Sequence, residues 1–173
     1  MDFMNAAQVL QSAFGGAHRW FQGTIEGLTA EQANTVPEGI AHPIGSQIAH
    51  ILHSEDGMIG MLEGTPPLWQ SEGWGEKLGL EMLMSQTAES SRAYRCDPAQ
   101  LEEYGKAVFA RTDAYLAGLS DEDLDRPHDL SAWGMGEVPV GQILTTMTLG
   151  NTYAHTGEIS ALKGTQGLKG YPF

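Results

Sequence analysis

The chain has 173 residues, 41% of them hydrophobic, which is enough for one domain with a real core spanning 1–173 and too little for two. Nine Lys and Arg stand against 22 Asp and Glu; the resulting charge of −13 repels phosphate backbones and anionic membrane surfaces and argues against nucleic acid as a partner. The opening MDFMNAAQVLQSAFGG has no basic start and no sustained apolar run, and no later stretch nears the ~20 apolar residues of a membrane span, so a soluble, cytoplasmic protein is expected.

Apolar residues recur at helical spacing and no run of β-branched residues resembles a buried strand, so the chain reads as all-α. The first helix is predicted from about Met4 to Glu26, ending near Gly27, with Gly15 and Gly16 as a weak point. A loop follows, LTAEQANTVPEGIAHP, with a short helical turn opened by Thr29 and Gln32 in capping-box order. Pro43 suits the first turn of a second helix, on which Ile44, Ile48, Ile51, Met58 and Leu62 form one stripe and Gly64 ends the pattern. The Pro-, Gly- and Trp-rich TPPLWQSEGWGEKLG is read as a long connection without regular helix, bordering a pocket or packing on the bundle.

Between Leu80 and Arg95 the pattern is ambiguous, and Cys96, the single cysteine, has no partner for a disulfide or a thiolate metal site. The third helix runs from Pro98 to Leu119, with Leu101, Tyr104, Val108, Thr112, Tyr115 and Leu119 on one face. After an acidic connection whose SDEDLD marks a helix start, Pro139 opens the fourth helix. Its stripe runs Val140, Leu144, Met147, Asn151, His155, Glu158, Leu162, which places three polar residues on the face expected to point inward. GLTAEQ leads to PIGSQI as GLSDED leads to PVGQIL, and this echo of two helix-loop-helix units suggests a four-helix bundle with long connecting loops.

Inward-facing Asn151, His155 and Glu158 must be satisfied, either by a metal-free hydrogen-bonded core or by an ion. The second helix offers imidazoles in IAHILHSED. His50 flanks the apolar stripe and is the better inward ligand, whereas His53 points away from its centre and is expected at the surface. Glu55 falls on the stripe itself, a place where a carboxylate serves as an outer-shell partner or a substitute ligand. His18 is read as a satisfied or surface histidine, and His42 and His128 as exposed loop residues.

IAHILHSED, GLTAEQANTVPEG before it and HTGEISALKGTQGLKGYPF at the end resemble the DinB/YfiT-like superfamily of bacterial metal-binding four-helix bundles, over nearly the whole chain in element order. The resemblance implies an up-down-down-up bundle, a homodimer, and a divalent ion, Zn or Ni, held by one histidine of the second helix and two of an H-x-x-x-H pattern on the fourth. His50 then matches the first ligand and His155 the last, while Asn151 stands in the middle place. An amide oxygen is a harder, poorer donor to such ions than imidazole, so Glu55, Glu158 or a water would have to complete the set. The resemblance further implies a metal-dependent enzyme acting on a small-molecule substrate, of thiol S-transferase or hydrolase type with a low-molecular-weight thiol as cofactor. The alternative is a non-catalytic bundle with a degenerate metal site that binds a ligand or partner.

Overall fold

The structure, a computed structural model, describes residues 3–80 and 87–173. Helix α1 spans Ala6–Ile25. Asn5 caps it by accepting from the Gln8 backbone N–H at 2.9 Å, and the Gln8 side chain accepts from the Asn5 N–H in return. Gly15 and Gly16 lie within it and do not interrupt it, because Leu10, Phe14, Ala17 and Phe21 bury a face on both sides of them. The short α2, Ala30–Asn34, carries the Thr29–Gln32 capping box read from the sequence. Helix α3, Ile44–Glu63, follows Pro43 and stops at Gly64, whose φ of +69° is the left-handed conformation that glycine adopts without strain.

The connection after α3 departs from its expected irregularity. It contains two short helices, α4 (Leu68–Ser71) and α5 (Trp74–Leu78), broken apart at Gly73 with φ +74°. A tertiary anchor holds this segment: the buried Asp56 carboxylate accepts from the backbone N–H groups of Leu68 and Trp69, both at 2.9 Å, from Tyr104 Oη at 2.8 Å and from Arg111 at 3.0 Å. In the ambiguous span Leu80–Arg95, Ala88–Ala93 forms α6; residues 81–86, with Met82 and Met84, lie outside the described residues. Helix α7, Pro98–Ala117, buries Leu101, Tyr104, Val108 and Thr112 as their spacing requires.

The acidic run forms α8, Asp121–Asp125, capped by Ser120. Two strands follow that the sequence did not announce, β1 (Pro127–Asp129) and β2 (Glu137–Pro139), paired antiparallel with His128 opposite Val138. Three residues per strand are too few to print an alternating pattern. The last long helix is continuous but not uniform: α9 (Val140–Gln142), a π-helical stretch (Ile143–Leu149) and α10 (Gly150–Thr165) succeed one another without a gap.

Helix α1 packs on α7 and α10, and α3 packs on the same two. One core cluster gathers Phe21 of α1, Ile44 to Leu52 of α3, Leu101 to Phe109 of α7 and Ile159 of α10. The other joins Leu10 and Phe14, Ile59 and Leu62, Leu116, and Val140 to Leu144. The start of α1 thus lies with the start of the last helix and the ends of α3 and α7. Each fully buried Leu, Ile or Phe in these clusters contributes about 1.5–3 kcal/mol, which is what fixes the four helices against one another. The sequence echo has a physical counterpart: α2 packs on the start of α3 and α8 on α9, and a side chain at Gly45 or Gly141 would collide with Cys96 Sγ or press on Leu124 O. Among the described residues no helix is long and apolar enough to cross a membrane.

Candidate functional site

The π-helical stretch decides what the last helix presents. A π turn takes one extra residue, and one residue rotates everything downstream by about 100° relative to an uninterrupted α-helix. Val140 and Leu144 are buried as expected, but the inward run then continues through Thr148, Thr152, Thr156, Ile159 and Lys163. Asn151 and His155 are half-buried and Glu158 exposed, so the three polar residues are not core residues. They face sideways, toward α3, and need no internal network to satisfy them.

This rotation brings His155 against His50. Their ring centroids lie 4.7 Å apart with the planes at 79°. Two imidazoles bound to one tetrahedral ion, with Zn–N near 2.0–2.1 Å, place their centroids about 5 Å apart, so the observed spacing fits a shared ion. Asn151 lies within hydrogen-bonding reach of His50. Enclosure by the surrounding walls and the neighbouring His155 lower the His50 pKa, while the Asn151 side chain and Glu158 work in the opposite direction. Glu158 Oε2 meets His155 Nδ1 at 2.8 Å. A carboxylate only accepts, so Nδ1 carries a proton, and in the neutral ring this leaves Nε2 its lone pair, the tautomer that suits metal ligation through Nε2.

The pair opens on a cavity of about 600 Å³. Ser46, Gln47 and Ser91 supply neutral polar groups to its wall, Ile40, Ala161 and Leu162 apolar ones, and Glu158 a carboxylate. No Lys or Arg is among the described residues that line it. His42 lines it too, half-buried, and so differs from the exposed loop residue that its sequence context suggested. The missed signal was not local: His42 enters the wall because α6 holds its loop, Arg92 donating to the carbonyls of Ala41 and Pro37.

The other candidates separate from this site. Glu55 lies five residues beyond His50, a rotation of about 140° on a helix, and its carboxylate accepts from Thr112 Oγ1 at 2.7 Å and pairs with His18 Nε2 at 2.9 Å. His18 is buried and stacked on Phe109 at 3.9 Å, a core histidine and not a surface one. Glu55 therefore supports the bundle interior instead of reaching the imidazole pair. His53, expected at the surface, is half-buried against Trp69 at 5.3 Å, because the anchored connection folds over it. Trp69 and Trp74 pack on the core and Trp133 is exposed, and none of the three lines the cavity. Tyr171 and Phe173 pack back on Trp20 of α1.

Two imidazoles and an amide are a partial donor set. Among the described residues no three His, Cys, Asp or Glu side chains already converge on one point. The arrangement can hold a divalent ion at the cavity wall with positions left for water or ligand, and more weakly than three imidazoles would.

Comparison with known proteins bears on the fold and family. The family model of the DinB superfamily matches residues 13–159. Among solved structures, one described as a conserved protein from Enterococcus faecalis has a TM-score of 0.79 and 24% identity, covering 93% of this chain and 96% of that one, a likeness of fold. A search of curated proteins found no match.

Proposed function

Because the chain belongs to the DinB superfamily, and because two imidazoles from separate helices meet over an open cavity, we propose that it is a metal-dependent enzyme acting on a small molecule. The observation that carries this reading is the 4.7 Å separation of the His50 and His155 rings. A mainly apolar wall with a few polar groups and one carboxylate among its described residues, in a cavity of ligand size, supports a small-molecule substrate.

The residues divide the work as follows. His50 and His155 would hold a divalent ion such as Zn or Ni through neutral ring nitrogens, and Asn151 would add its amide oxygen or orient His50. Glu158 fixes the His155 tautomer through the 2.8 Å contact at Nδ1. Ser46, Gln47 and Ser91 orient the polar end of the substrate, and Ile40, Ala161 and Leu162 exclude water around its apolar part. A bound ion supplies Lewis acidity that lowers the pKa of a coordinated thiol or water, the chemistry of a thiol transferase or a hydrolase.

The test is metal content after purification without a nickel column, followed by calorimetric titration with Zn²⁺ and Ni²⁺. The expected result is one saturable equivalent that disappears in His50→Ala and His155→Ala. Absence of saturable binding to the wild type removes the reading. The second reading, a metal-free cavity that binds a ligand without chemistry, is favoured by the amide at position 151, and it would then take its place.

A further inference from the structure

We infer that His42 is the third imidazole of this site, the donor for the coordination place that Asn151 serves only with an amide; the inference rests on the metal-binding reading above. His42 shares one cavity wall with His50 and His155, and each of the three comes from a different segment: the loop before α3, α3 itself and α10. It is half-buried, and it forms part of that wall.

The loop that carries it is held by few apolar contacts. Ile40 is 89% exposed and Val36 41% exposed, so hydrophobic packing does not pin the segment. Gly39, at φ +74°, provides a pivot with no side chain to obstruct it. Arg92 holds the loop from the α6 side through the carbonyls of Pro37 and Ala41, the latter in the peptide bond that leads into His42. Beyond His42 the chain is fixed, since Pro43 is buried and its carbonyl accepts from Gln47 N at 3.1 Å. His42 thus sits at the boundary between a movable loop and a rigid helix, where a modest backbone rotation swings its ring.

The need for such a swing is also plain, because no three His, Cys, Asp or Glu side chains converge among the described residues. An ion held by His50 and His155 would draw the loop in, and imidazole would replace an amide oxygen or water as third donor, as transition metals of the Zn and Ni type prefer. Among the described residues that line the cavity, no Lys or Arg opposes the ion. The result is a site whose third ligand arrives from a loop, so that metal loading and closure of the cavity wall are the same event.

Two measurements on the full chain test this. Pulsed EPR at one equivalent of Cu²⁺ counts coordinated imidazoles in the wild type, and Zn²⁺ titration compares the wild type with His42→Ala and Arg92→Ala. The expected count is three, falling to two in His42→Ala, with Zn²⁺ affinity weakened about tenfold or more. Arg92→Ala, which frees the loop but keeps all three rings, should retain the count of three. A count of two in the wild type overturns the inference whatever the variants do. So does unchanged Zn²⁺ affinity in His42→Ala, and in both cases the two-histidine reading survives. Failure of the wild type to bind either ion overturns that reading and this inference with it.

Discussion

Helix α3 carries two groups of polar residues about one and a half turns apart, and they are in opposite states. Glu55 and Asp56 are buried at 1% and 0% exposure, and each is engaged: Glu55 by Thr112 and His18, Asp56 by two backbone N–H groups, Tyr104 and Arg111. His50 faces an open cavity, with a second imidazole edge-on and an amide beside it. Asp56 has both oxygens engaged by its own chain, and Glu55 has Oε1 engaged with Oε2 closed off in the interior, so both carboxylates support the fold and neither reaches the cavity. An imidazole with a free ring nitrogen at a cavity wall contributes little to the fold and is available for chemistry. The distinction lies in access to the cavity, not in residue type.

Removing a member of the engaged group should have the largest effect. Asp56→Ala strands Arg111 and Tyr104 and releases α4, and is expected to lower stability by about 3–5 kcal/mol. A urea denaturation midpoint shifted by less than the equivalent of ~1 kcal/mol would mean that the anchor is dispensable.

The open group predicts the reverse, a change in binding with little change in stability. Asn151→His supplies imidazole beside His50, and Zn²⁺ affinity should rise about tenfold or more while the melting temperature moves by only a few degrees. In that background His42→Ala should cost less affinity than in the wild type, because both rings compete for one place. Unchanged affinity in Asn151→His, measured by calorimetry, would show that position 151 does not address the ion.

The smallest effect concerns His53, which lies between the two groups. Burial lowers its pKa from the ordinary histidine value of 6.5, with Asp56 opposing. The folded state therefore binds fewer protons than the unfolded chain below that value, and stability falls as pH drops through 6.5; above it the contribution is fully present. The slope for one proton stays below about 1.4 kcal/mol per pH unit. His50, also lowered, adds to it. Thermal melts from pH 7.5 to 5 should show a flatter decline in His53→Leu, and an identical decline would assign the pH dependence elsewhere.

Much of the fold was legible in the sequence because its signals are local. The capping box at Thr29 and Gln32, Pro43 ahead of α3, Gly64 after it and Pro98 in the first turn of α7 each act through a neighbour a few residues away. Even the repeated Pro-aliphatic-Gly start of α3 and α9 reported a real recurrence, a short helix lying on a glycine. The site was legible only in part. His50, Asn151, His155 and Glu158 were identified on their own helices, but the sequence assigned the last three to the core, and it left His42 in solvent.

Helix periodicity, capping and the aliphatic stripes of α1, α3 and α7 were set by the sequence itself, since each depends on spacing along one chain segment. Tertiary structure alone decided that a π-helical stretch from Ile143 to Leu149 turns Asn151, His155 and Glu158 out of the core and toward α3. It also decided that Arg92 draws the His42 loop into the same wall and that Glu55 is spent on His18 and Thr112. Periodicity specifies which residues share a helix face, but the rotation of that face about the helix axis is settled only by what packs against it.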